Sequence, residues 1–338
     1  LGSYAFHPEF QSNGLFYTSH TEKANTQIAD FEYSKDVKVA LQWVITEWKV
    51  PNPNATTFEG KPREFFRINM VSQIHGMQEI AFNPHSKKGE DDYGMLYVGI
   101  GDGGASESGH PEICNSVKTP WSSVLRINPQ GNNSKNGKYG IPTSNPFIVN
   151  GKVSEVFARG FRNPNRIYWT PDGKMLVSDI GHKNVEELNV CLPGKDYGWP
   201  YREGSFIIDP FQNMDLVFKL PNPDSTYILP TLQYDHEDGN AISSGFTYFS
   251  NKIPLLQDKY IFGDVVTGKV YFAENSKIEF GKQTDIFEFN LEVDGKNSNF
   301  RELTDNHKTD LRFGQGMDGE IYLYTKTDAR IYKIVGCK

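Results

Sequence analysis

The sequence predicts an all-β protein built as a propeller, and three observations carry that reading. Composition is the first: 31 Gly, 17 Tyr, 23 Phe and 19 scattered Pro among 338 residues. Such a mixture of turn formers and aromatics suits many short strands rather than long helices. The second is a recurring pattern: an aromatic or apolar residue, often a Pro, a polar turn with Gly, then an alternating Leu/Ile-Tyr-Val strand. The third is spacing, because copies begin at positions 5, 81, 168, 249 and 313, 64 to 87 residues apart. Self-similarity at a long period suggests a radial array in which each unit buries its faces against its neighbours.

The copies are "AFHPEFQSNGLFYTSH" (5–20), "AFNPHSKKGEDDYGMLYVGIGD" (81–102), "YWTPDGKMLVSDIG" (168–181), the looser "FSNKIPLLQDKYIFGDVVTGKVYFA" (249–273) and "FGQGMDGEIYLYT" (313–325). Each reads as a β-hairpin turning on Asp-Gly, Asn-Gly or a longer Gly-containing loop. "SSVLRIN" (122–128) alternates like a further strand. Propeller blades usually take about 40–50 residues, so some blades carry no visible copy or hold long insertions. A pair of β-sandwiches or a solenoid would meet the same pattern less well. The Asn/Pro-rich stretches at 51–57, 129–146 and 220–230 read as inter-strand loops, and no linker divides the chain. One domain over 1–338 is expected.

At this length roughly three quarters of the unfolded chain's surface can be buried. The net charge is −7, from 35 basic and 42 acidic residues, without a basic stripe, so a nucleic-acid partner is not expected. No apolar run approaches the roughly 20 residues of a membrane span. Three cysteines (Cys114, Cys191, Cys337) and two sequons, Asn54-Ala55-Thr56 and Asn132-Asn133-Ser134, favour a secreted glycoprotein, extracellular or periplasmic. The chain opens abruptly at Leu1, and some N-terminal sequence is expected upstream.

The stretch "GFRNPNRIYWTPDGKMLVSDIGHKNVEELNVCLPGKDYGWP" (160–200) resembles the glucose/sorbosone dehydrogenase family. Its Gly-x-Arg-Asn-Pro, Pro-Asp-Gly-x-x-Leu, Glu-Glu-Leu-Asn and Tyr-Gly-Trp-Pro elements stand in the family's order. "LYVGIGDGG" (96–104), "IPTSNPF" (141–147) and "DGEIYLY" (318–324) match as well, and the resemblance runs over essentially the whole chain. "YDHEDGNAISSGFTYFS" and "DKYIFGDVVTGKVY" look most like the hedgehog-interacting-protein-like branch. The resemblance implies a six-bladed β-propeller of four-stranded antiparallel blades. It implies oxidation of a sugar C1 hydroxyl to the lactone with pyrroloquinoline quinone (PQQ) and Ca²⁺, electrons passing to an external acceptor.

Carried over by position, the catalytic histidine falls on His75 and the aspartate that orients it on Asp102. The pair that meets the quinone falls on Arg162 and Asn163, and the backbone carbonyls that hold Ca²⁺ on Gly181 and His182. A neutral imidazole whose tautomer is fixed by a carboxylate suits removal of a hydroxyl proton. An arginine suits the charge of a reduced quinone, and backbone carbonyls suit a hard cation. Lys269 and Arg312 are offered as further cofactor contacts: Val266 stands where the dehydrogenases have a lysine, with Lys269 nearby, and Arg312 occupies a shifted register.

Without the resemblance, each of these residues has a plainer reading. His75 is a packed histidine at a strand start, and Asp102 closes an Asx-turn. Arg162 stacks on Tyr168 or Trp169, Gly181-His182 is a hairpin loop, and "DHEDGN" (235–240) is a solvated loop rather than a metal site. Met77 and Gln78 stand where the family has small residues and would crowd a quinone. The rival reading is therefore a propeller that keeps the fold and binds a glycan or protein partner; a lactonase-like hydrolase using axial Ca²⁺ is a third. Cys114 and Cys191 are expected to pair, and Cys337 to pair with a residue upstream of Leu1.

Overall fold

A computed structural model describes residues 1–221 and 226–338; part of the loop read at 220–230 lies outside them. The chain divides into two compact units. The first takes Leu1–Ile167, Leu192–Tyr201 and Asp209–Asn213; the second takes Tyr168–Cys191, Arg202–Ile208 and Met214–Lys338.

In the first unit, Ser3–Phe6, Leu15–Lys23, Leu41–Lys49 and Lys61–Met70 form an antiparallel sheet in chain order. The predicted turn between the first two strands is a four-residue helix, Phe10–Asn13, ended by Gly14 at φ 64°, a left-handed position glycine fills without steric cost. A second sheet runs Met77–Phe82, Leu96–Ile100, Ser123–Ile127, Val156–Arg159, again antiparallel in chain order. Alternation sends Tyr17, Ile45, Phe65, Met70, Leu96, Val98 and Leu125 into one shared core.

The second unit repeats the design. Met175–Asp179, Val185–Val190 and Leu232–Asp235 pair in order, following the strand Pro164–Trp169, whose last two residues belong to this unit. Ile242–Thr247, Lys259–Asp264, Val270–Glu274 and Phe287–Glu288 form another four-stranded meander, and Leu311–Gln315, Ile321–Thr325 and Arg330–Lys333 a three-stranded one. Leu176, Leu188, Tyr260 and Phe262 centre one core there, and Ile261, Leu311, Phe313 and Ile321 another. All five hairpins read from the sequence are present. Four-stranded antiparallel meanders are the repeating unit of propellers. No helix among the described residues is long and apolar enough to cross a membrane.

Two expectations change. Cys114 is a free, buried thiol whose Sγ lies 3.2 Å from the Ser106 hydroxyl, so the Cys114–Cys191 disulfide does not form. Burial, with the Asp102 charge added, pushes that thiol up to about 12, which suppresses its thiolate chemistry. Of the pair Met77 and Gln78 expected to crowd a quinone, Met77 is fully buried in the core of the first unit, whereas Gln78 is half-buried. The register shifts between Met77 and Glu79, and a β-bulge of this kind re-aims the side chains around it.

Candidate active site

His75 ends the loop before Met77–Phe82 at φ +53°, a region costly for a residue with a Cβ and found mostly where surroundings enforce it. The enforcement is visible: Gly103 N–H donates to the His75 carbonyl at 3.1 Å and Gly101 N–H to the Gly76 carbonyl at 3.3 Å. A Cβ at Gly76 would lie 1.9 Å from Trp43 Nε1, and one at Gly101 would lie 2.7 Å from the His75 Cβ. Gly76 thus lets the Trp43 indole pack against the backbone, and Gly101 lets its strand close on His75.

His75 Nδ1 stands 2.8 Å from Asp102 Oδ1. Asp102 is fully buried; Gly104 N–H donates to the same oxygen at 2.8 Å and Trp199 Nε1–H to Oδ2 at 3.3 Å. Burial pushes this carboxyl up, but His75, Arg162 and the Gly104 amide together outweigh it and hold it below its ordinary range. It is therefore ionised at neutral pH, and an ionised carboxylate only accepts hydrogen bonds. The proton lies on His75 Nδ1, which leaves Nε2 of the neutral ring as a base.

Arg162 joins the same unit through its backbone, whose carbonyl accepts from Asp102 N–H at 2.8 Å. Its guanidinium lies 5.5 Å from the Trp199 ring centroid and pairs with Glu107. Asn163 is buried beside it in sequence. The structure thus brings together three residues expected from the sequence, His75, Asp102 and Arg162, and adds Trp199 and Glu107. Trp199 sits in the quoted Tyr-Gly-Trp-Pro motif, which was the available signal; Glu107 follows "GDGGAS" with no signal of its own.

Gly181 and His182 belong to the second unit. Glu203 Oε1 accepts from the amides of His182 (2.7 Å), Lys183 (2.9 Å), Asn184 (2.8 Å) and Val185 (3.1 Å), while Asn184 Nδ2 donates to Oε2 at 2.9 Å. In a trans peptide the C=O points opposite to the N–H of the next residue. The amides of 182 and 183 aim at Glu203, so the Gly181 and His182 carbonyls both aim away from it. The loop can present that oxygen pair to a hard cation. Its imidazole is engaged elsewhere, His182 Nε2 lying 2.9 Å from Asp215 Oδ1.

Lys269 and Arg312, also in the second unit, face carboxylates. Lys269 Nζ is 3.1 Å from Asp238 and 3.2 Å from Glu288, and Arg312 is 3.8 Å from Asp310. His236 of "DHEDGN" pairs with buried Glu186 at 2.9 Å. Among the described residues no three His, Cys, Asp or Glu side chains are grouped to hold a metal.

One further group in the first unit titrates unusually. Burial pushes the Glu79 carboxyl up to about 7, against the pull of Arg166, 3.5 Å away, and Ser3. Between about pH 4.3 and 7 the folded chain keeps a proton that the unfolded chain has released, so this contribution is complete below that window and lost as pH rises through it. Glu79→Gln should therefore flatten the pH dependence of stability. Urea titrations at pH 5 and pH 8 should show the variant gaining about 2 kcal/mol on the wild type across that interval.

Comparison with known proteins identifies the family. The sequence profile described as Glucose / Sorbosone dehydrogenase matches residues 1–333. The HIPL2 protein of Arabidopsis thaliana is 27% identical over 322 residues, covering 83% of this chain and 44% of that protein. Quinoprotein glucose dehydrogenase B of Acinetobacter calcoaceticus is 29% identical over 214 residues, covering 59% of this chain and 39% of that protein. The chain thus spans less than half the length of these relatives. The solved structure of the PQQ-bound aldose sugar dehydrogenase of Streptomyces coelicolor superposes with a TM-score of 0.62 at 18% identity, covering 98% of this chain and 78% of that one. The fold is shared with that protein, and the match over residues 1–333 shows that the chain belongs to the glucose/sorbosone dehydrogenase family.

Proposed function

We propose that this protein is a quinoprotein sugar dehydrogenase that oxidises the C1 hydroxyl of an aldose to its lactone, using PQQ and Ca²⁺. The observation that carries the reading is the buried Asp102–His75 pair, which leaves His75 Nε2 as a base in the same unit as Arg162. The residues fit the cofactor chemically: Arg162 is a cation for carboxylate or quinone oxygens, and Met77 is withdrawn into the core. Gly181 and His182 would hold Ca²⁺ through their carbonyls, a geometry that Glu203 supports by drawing in the loop's amides.

When bound, the quinone supplies the two-electron acceptor and Ca²⁺ the Lewis acid. His75 Nε2 takes the C1 hydroxyl proton while Asp102 holds Nδ1–H and stabilises the imidazolium that forms. Arg162 orients the anionic edge of the cofactor and offsets negative charge as it is reduced. We read the meander sheets as blades of a six-bladed propeller, supported by the likeness to aldose sugar dehydrogenases. We place the protein outside the cytosol, because Asn54 and Asn132 of the sequons are both exposed.

The test is reconstitution with PQQ and Ca²⁺, followed by a panel of aldoses with a dye acceptor. Dye reduction by an aldose is expected; its absence across the panel removes the dehydrogenase reading. The second reading, a hedgehog-interacting-protein-like propeller that binds a glycan or protein partner, is favoured by Val266 at the lysine position and by the engagement of Lys269 with Asp238 and Glu288.

A further inference from the structure

Arg162 pairs with one carboxylate, Glu107, and acts electrostatically on a second, Asp102, and the two differ in their freedom to move. Asp102 is fully buried and bonded to His75, Gly104 and Trp199. Glu107 lies on a run of turns, and its side chain is 32% exposed against 7% for Arg162. That run is anchored at both ends. Ala105 N–H donates to the Asp102 carbonyl at 3.1 Å, Ser108 N–H to Gly104 at 3.0 Å and His110 N–H to Ala105 at 2.8 Å. Ser106 is buried against Cys114. The backbone thus delivers the Glu107 carboxylate to the guanidinium from the solvent side, while the opposite charge, Asp102, cannot leave.

We propose that Glu107 is an internal competitor for anionic ligands at Arg162. Its carboxylate occupies the guanidinium, and a ligand carboxylate that is to meet Arg162 must displace it. This rests on the reading that Arg162 meets the anionic quinone. Displacement is feasible because Glu107 swings from a partly exposed ion pair into water, losing the pair but burying no charge. Glu107 thereby sets the affinity of the site for carboxylate-bearing ligands without touching the proton transfer at His75.

The experiment is equilibrium dialysis of PQQ, with Ca²⁺ present, against the wild type, Glu107→Gln and Glu107→Ala. Thermal unfolding without quinone serves as the fold control, and two variants guard against one failing to fold. Both variants should bind PQQ about tenfold more tightly, equivalent to about 1.4 kcal/mol. A contact that merely supports the loop would weaken binding when removed, so the direction of the change separates the roles. Equal or weaker binding by both variants overturns the competitor role alone. No PQQ binding by any of the three proteins overturns the cofactor reading, and the proposal with it.

Discussion

His75→Asn is expected to lower turnover of the reconstituted protein by about a thousandfold, the range that removal of a positioned general base produces. Asparagine at 75 can still meet the Asp102 carboxylate through its amide N–H, so the loop and the left-handed backbone are preserved. PQQ binding by dialysis should change less than about threefold, because the arginine contact does not depend on the base. Asp102→Asn should act in the same direction for a different reason: an amide at 102 no longer fixes the proton on Nδ1. Turnover within a factor of two of wild type in His75→Asn would remove His75 from the mechanism.

The second large effect is on stability. Asp264 is fully buried in the second unit. Its Oδ1 accepts from Val266 N–H (2.9 Å), Thr267 N–H (2.6 Å) and Thr267 Oγ1–H (2.9 Å); its Oδ2 accepts from Tyr234 O–H (3.1 Å) and from the amides of Asn240 and Ala241 (2.7 Å each). One carboxylate ties the 238–241 and 265–268 loops together. Asp264→Ala leaves these donors orphaned and should cost about 4 kcal/mol or more. Asp264→Asn should cost nearly as much, because one of its two side-chain positions becomes a donor facing donors. Urea unfolding of the intact chain measures both, and a loss below about 1 kcal/mol would contradict the account.

Asp102, Asp179 and Asp264 show how far a sequence pattern reaches. Each stands at the end of the second strand of a repeated hairpin, in "YVGIGD", "MLVSD" and "YIFGD". The pattern is the same, yet the fates differ. Asp102 meets His75, Asp264 meets loop amides, and Asp179 is paired in register with Glu187, whose carboxyl burial and the Asp179 charge push well above its ordinary range. The strands alone do not distinguish them, because His75, Glu187 and the amides of Asn240 and Ala241 come from other parts of the chain. His75 was legible as a candidate only because the motif around it resembles that of a family.

The hairpins and the scarcity of helix were legible locally, since period-2 alternation and Gly-bearing turns act over a few residues and need no tertiary context; the family was legible from its ordered motifs. The resemblance also implied that His75 and Asp102, 27 positions apart, meet. Folding was needed to bring Trp199 to Asp102 across 97 positions and Glu107 to Arg162 across 55, to turn Met77 into the core, and to set Cys114 against Ser106 rather than another cysteine. These contacts depend on which loops the folded sheets bring within hydrogen-bond reach, and a side chain's type and spacing do not encode that.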